Sequence, residues 1–127
     1  MYHKLTLDDL ACFSVKRLSS DKLFLLLGRC RNGIVVSVPF SLDEKVALLV
    51  GMMPDGSIPK DINSVMFSQK KDPTKIIVFK DLLQELFGIQ HVRTWIDKTG
   101  TTILQVANKT LATFMHDFFG VPTSVDA

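Results

Sequence analysis

SLDEKVALLVGMMPDGSI, residues 41–58, is the stretch on which the reading of the chain turns. Ser41 and Glu44 form a capping box, in which each side chain satisfies a backbone N–H at the start of a helix. The helix they open carries apolar residues at 42, 46–50, 52 and 53. That is wider than one amphipathic stripe, and a helix apolar nearly all round is buried on more than one side. Pro54 stops it, because proline has no N–H to give to the preceding turn. Asp55 and Gly56 follow, with Gly56 permitting a sharp exit into a strand at Ser57. A core helix does not need an acid at its end, and a surface turn does not need the apolar run before it.

The remaining composition bounds the answer without deciding it. The 127 residues match one domain with room for a sizeable core. With 46% apolar and 22% charged residues the chain is globular in type, which rules against a disordered protein. A net charge of +2 permits a nucleic-acid partner without demonstrating one. Cys12 and Cys30 match no metal-ligand spacing and are too few for a disulfide framework, so they read as reduced thiols. Residues 1–10 carry charges where a secretory signal needs an apolar core. The longest apolar runs, 23–27 and 46–50, fall far short of the roughly 20 residues of a membrane span. These features point to a soluble, intracellular, cytoplasmic protein with no membrane partner.

Thr6 as N-cap and Asp9 predict a first helix running to about Leu18, broken by Ser19, Ser20 and Asp21. Residues 22–30 and 34–38 are β-rich runs around Arg31, Asn32 and Gly33, and Asn-Gly between such runs is a hairpin signal. A helix over 23–28 is the alternative. Residues 57–69 predict two short strands around 61–64, with Val65 and Phe67 on one face and Met66 and Ser68 on the other. Asp72 and Pro73 start a helix that Gly88 ends. Residues 91–97 and 101–106 form a second hairpin around 98–100. Asn108 caps a last helix whose core face is Leu111, Ala112, Phe114, Met115, Phe118 and Phe119, with Gly120 and Pro122 closing it. The tail from Thr123 is expected to be loose. The result is an α+β pattern: from residue 41, helix, strand, strand, helix, strand, strand, helix, with the helices on one face of an antiparallel sheet and the other face open.

LLVGMMPDG, residues 48–56, resembles the LAGLIDADG signature, and the elements after it come in that family's order. ILQVANKTLATF, residues 103–114, is similar to its closing strand and final helix. The resemblance runs over residues 42–120, about two-thirds of the chain. It implies an αββαββα core over 41–122, preceded by an N-terminal helix and hairpin over 1–40 and followed by a tail over 123–127. Most members of the family are homing endonucleases that cut near-palindromic double-stranded DNA, and others are maturases or non-cutting DNA-binding regulators. A single-motif chain is similar to those that act as homodimers, with Leu48, Val50, Gly51 and Met53 at the seam between two signature helices. The terminal acids of the two helices would then bind divalent metal ions at the scissile phosphates.

The resemblance implies a role for each site residue. Asp55 would be the carboxylate ligand of Mg2+, with the Pro54 carbonyl beside it, since magnesium takes hard oxygen donors and keeps much of its water. Lys109, at the head of the last helix, would favour the charged transition state, and Gln69, with Ser68 as an alternative, would position solvent. Lys60, Asn63, Lys70, Lys71, Arg93, Lys98, Thr101 and Gln105 are the candidate DNA contacts, because an antiparallel ribbon fits the major groove. Which of them share a face depends on strand register.

Val50 falls where the family keeps glycine and Pro54 where it keeps glycine or alanine. Gly51 would supply the small residue if the register were shifted by one. Three functions follow: a magnesium-dependent homing-type endonuclease, a catalytically degenerate DNA-binding or regulatory module of the same fold, and an interaction domain whose open sheet binds protein. His3, His91 and His116 share no ligand spacing and read as surface residues, while Trp95 fits the core or a contact on the open face.

Overall fold

In the computed structural model, which describes residues 12–37, 44–70 and 73–123, the chain is α+β with two antiparallel sheets and three helices. Helix α1, Glu44–Met52, passes at Pro54 into a single 3-10 turn, Met53–Asp55. Strand β4, Gly56–Ser57, leaves at once and pairs with β5, Val65–Gln69. Gly56 is extended (φ −116°), so its function is not a left-handed turn. A Cβ there would stand 2.8 Å from the Met66 carbonyl oxygen, and the missing side chain lets β4 close onto β5. Helix α2, Thr74–Phe87, ends at Gly88, whose φ of 67° is the left-handed cap the sequence predicts. Strands β6, Arg93–Ile96, and β7, Thr102–Val106, form the second hairpin, and α3, Lys109–Phe119, closes the fold. The sheet order is β4–β5–β7–β6.

The N-terminal part departs from expectation. Residues 13–17, assigned to a helix by sequence, are strand β1, Phe13–Arg17. It pairs along its length with β2, Lys22–Leu27, which pairs in turn with β3, Ile34–Ser37. The periodicity misleads because Leu18, which closes the helical stripe of Leu7, Leu10, Ala11 and Phe13, is exposed, and Phe13 is the only buried residue of β1. A ready strand partner overrides a weak stripe. Ser19, Ser20 and Asp21 do not end a helix but make the β1–β2 turn, held by Leu18 N–H to the Lys22 carbonyl (3.0 Å) and the Ser19 hydroxyl to Asp21 (2.8 Å). The start of the predicted helix, Thr6 and Asp9, lies outside the described residues, as do Ser41, Lys71 and Asp72.

The β2–β3 connection is longer than an Asn-Gly turn. The last pair is Leu25 with Ile34, and the reversal occurs at Gly28 (φ 53°), where the Cys30 N–H meets the Leu27 carbonyl at 3.0 Å. The loop seats the head of α3. Thr110 donates its hydroxyl to the Asn32 carbonyl (2.8 Å) and accepts from Leu27 N–H (3.1 Å). Asn108 caps α3 by accepting from Leu111 N–H (2.9 Å) and donates to the Gly33 carbonyl (3.0 Å).

Helix α2 touches β3 of the first sheet and β5 and β7 of the second, so it lies between the two sheets. The Phe67 and Phe79 rings stack at 4.4 Å on one side, and Phe13 of β1 meets Phe114 and Phe118 of α3 at 6.3 Å each. Buried residues from both sheets and all three helices form one core. Thr123, expected to begin a loose tail, is buried and bridges to Ile58. Among the described residues no helix is long and apolar enough to cross a membrane.

Candidate functional site

Asp55 stands at the exposed end of the 3-10 turn, and Gln69 at the last position of β5. The β5 alternation places Val65, Phe67 and Gln69 on the core-facing side. That buries an amide, which needs a hydrogen-bond partner. Gln69 finds one by donating from Nε2 to Asp55 Oδ2 at 3.1 Å. Two residues singled out from sequence are therefore brought together: a buried amide braces an exposed carboxylate and leaves its other oxygen toward solvent. Ser68, the alternative to Gln69, faces the opposite side of the strand with Met66.

Lys109 does not join them. Strand β7 runs antiparallel to β5 with Gln69 opposite Thr102 and Val65 opposite Val106. Asp55 is thus at the Thr102 end, whereas Lys109 follows Val106 at the other end, about 13 Å of strand away at ~3.3 Å per residue. Within one chain its ammonium cannot act on chemistry at Asp55. It is exposed at the first turn of α3.

The helix leading to Asp55 is buried on one side only. Val46 and Leu49 are in the core and Val50 packs against it, while Ala47, Leu48 and Gly51 are exposed, Leu48 to 51%. The sequence expectation of a helix covered on more than one side is not met within the chain. Gly51 takes the outward place, and a Cβ there would meet nothing within 4 Å. Val50 turns inward and packs against the core. Met53 is buried against Gly56 in the core of the chain and is not on this face. Ile77 (61% exposed) and Val78 (41%) add apolar surface on α2, the helix against which α1 packs.

The open face of the second sheet follows from register. Met66, Gln105 and Arg93 form one row across β5, β7 and β6, and Ser68, Ile103 and Trp95 the next. The Arg93 guanidinium lies 4.9 Å from the Trp95 ring centroid, a cation–π pair that holds the charge out from the sheet. Of the candidate DNA contacts, Arg93 and Gln105 share this face. Lys60 and Asn63 sit in the exposed β4–β5 connection, where Asn63 bonds Asp61 (2.8 Å), and Lys70 is exposed at the end of β5. Lys98 and Thr101 belong to the β6–β7 turn. There Asp97 accepts from the Thr99 hydroxyl (2.6 Å) and from the backbone N–H groups of Thr99 (2.8 Å) and Thr101 (3.1 Å), which hold its carboxyl below the usual aspartate range. Trp95, Met66 and Ile103 join the face by alternation, a signal present in the sequence but unusable until pairing fixed which side was open. His116 is half-buried, with Nδ1 2.7 Å from the Val121 carbonyl.

Asp55, the Pro54 carbonyl and the Gln69 amide offer hard oxygen donors that suit a divalent cation in kind but supply a single carboxylate. Among the described residues no three His, Cys, Asp or Glu side chains converge on a metal-sized site. No known protein family matches the chain, and no curated protein is similar to it in sequence.

Proposed function

We propose that the protein binds double-stranded DNA as a homodimer, resembles the single-motif LAGLIDADG proteins, and cuts DNA with Asp55 of each copy at the dimer seam. The observation that carries this reading is the Gln69–Asp55 hydrogen bond at the solvent-facing end of an apolar helix with an exposed Ala47, Leu48 and Gly51 face. The element order from α1 to α3 and the open sheet face agree with it. Pairing α1 with its copy would cover Leu48 and bring two Asp55 carboxylates together, completing a donor set that one chain leaves half-built.

In that arrangement Asp55 supplies the anionic ligand and Gln69 fixes its orientation. Bound Mg2+ would supply an activated water and charge stabilisation on the leaving oxygen. Arg93, Gln105 and the lysines around the sheet would hold the duplex, phosphate contacts giving affinity and base contacts specificity. The position of Lys109 favours a second reading, a DNA-binding module that does not cut. One experiment separates the two. Duplexes selected by the protein from a randomised pool are incubated with it in Mg2+. Cleavage that Asp55→Asn lowers about a hundredfold or more, with binding retained, supports the endonuclease. Selective, salt-dependent binding without cleavage leaves the regulator. Absence of selective binding rejects both.

A further inference from the structure

A cavity of about 630 Å³ lies between the β2–β3 loop and the segment joining α2 to β6. Its volume is that of a small-molecule site. The walls are fastened from both sides. A Cβ on Gly33 would stand 2.3 Å from the Leu25 carbonyl oxygen and 2.5 Å from Phe24 Cζ, so the Phe24 ring rests directly on the glycine backbone. Asn108 ties Gly33 to the head of α3, and Asn32 Nδ2 reaches the Ala107 carbonyl at 3.4 Å.

The electrostatics of the cavity are one-sided. Arg31, His91 and Arg93 line it, and among the described residues no aspartate or glutamate does. Among the described residues neither arginine forms an ion pair. Arg93 is held by its contact with Trp95, and Arg31 is exposed on the β2–β3 loop. Two arginines lining one cavity, with no carboxylate among its described residues, favour an anion, and the planar guanidinium fork matches phosphoryl oxygens. Gln90 and Gln105 add amides without a hydrogen-bond partner among the described residues, and Phe24 adds an aromatic wall.

We propose that this cavity binds a phosphorylated ligand of nucleotide size, with its phosphoryl groups on Arg31 and Arg93 and its ring system against Phe24. The phosphoryl group can come from a free nucleotide or from the backbone of a nucleic-acid strand. The inference rests on the cavity and not on the role given to Asp55.

Calorimetric titration of the full chain with ADP and with pyrophosphate tests it. Saturable binding at one site per chain is expected, tighter for ADP because pyrophosphate has no ring for Phe24. Arg31→Gln should weaken ADP about 10- to 100-fold, the loss of a charged hydrogen-bonding pair, and Arg31→Lys should weaken it less. Lys75→Gln, exposed at the start of α2 and outside the cavity lining, should change nothing. Pyrophosphate should also perturb the fluorescence of Trp95, the single tryptophan. ADP displaced by short duplex DNA assigns the site to backbone phosphate, and ADP retained beside bound duplex assigns it to a free nucleotide; either outcome supports the phosphoryl site. No saturable binding at millimolar ADP or pyrophosphate overturns it. So does Arg31→Gln protein that binds ADP like the wild type, or an equal loss in Lys75→Gln.

Discussion

Gln69 occupies a position of β5 where alternation calls for an apolar residue, and its amide is spent on the carboxylate of Asp55. Replacing both partners of a buried hydrogen bond costs little, whereas removing one leaves the other unsatisfied. Asp55 is exposed and can turn to water. Gln69→Leu is therefore expected to leave the thermal midpoint unchanged or slightly raised while lowering DNA cleavage about 10- to 100-fold, the usual cost of losing a group that orients a metal ligand. Thermal unfolding and a cleavage assay on the same preparation check both halves. Asp97 makes a separate prediction. Its folded carboxyl is held low first by the Thr99 hydroxyl, so the stabilisation is present above the unfolded value and is lost as pH falls through the folded one. Titration by NMR should place Asp97 below an ordinary aspartate, and Thr99→Val should move it upward. Asp55 stood out in the sequence because a lone acid ended an apolar helix. Its partnership with Gln69 was legible only as a guess between two neighbours, since Ser68 and Gln69 are separated by nothing but the phase of the strand.

Among the elements, those bounded by strong local chemistry were the ones readable in advance. Gly88 and Gly120 take left-handed backbone at φ 67° and 69°, and Asn108 bonds the N–H of Leu111, as their sequence positions predict. Strand β1 was misread because nothing local marks it: its strand state depends on β2, a partner that propensity cannot see. The β2–β3 loop shows the same dependence. Its Asn-Gly was read as a turn, yet Asn32 and Gly33 serve as acceptors for Thr110 and Asn108, a tertiary use. This joint can be tested by stability alone. Asn108→Ala removes a helix cap and leaves the Gly33 carbonyl without its donor, and should cost about 2 kcal/mol in denaturant unfolding. Gly33→Ala drives a methyl into the Leu25 carbonyl and should cost about 1–3 kcal/mol.

At the scale of the molecule, the helices are enclosed unevenly. The first sheet covers α2 and α3, the second covers the other side of α2, and α1 is left with Ala47, Leu48 and Gly51 facing outward, while Ile77 and Val78 of α2 are also exposed. Sequence alone said that so apolar a helix would be covered; it could not say whether by the same chain or by a second one. The first sheet leaves this face open, because it packs on α2 and α3, and a second copy is the cover proposed. The most direct measurement is crosslinking at position 55. Asp55→Cys in a Cys12→Ser, Cys30→Ser background is treated with a short bis-maleimide, with Ser20→Cys in the same background as the remote control. Covalent dimers from position 55, abolished by Leu48→Glu and absent from position 20, are the predicted result. A protein that stays monomeric and uncrosslinked at position 55, at concentrations where it binds DNA, contradicts the two-fold site.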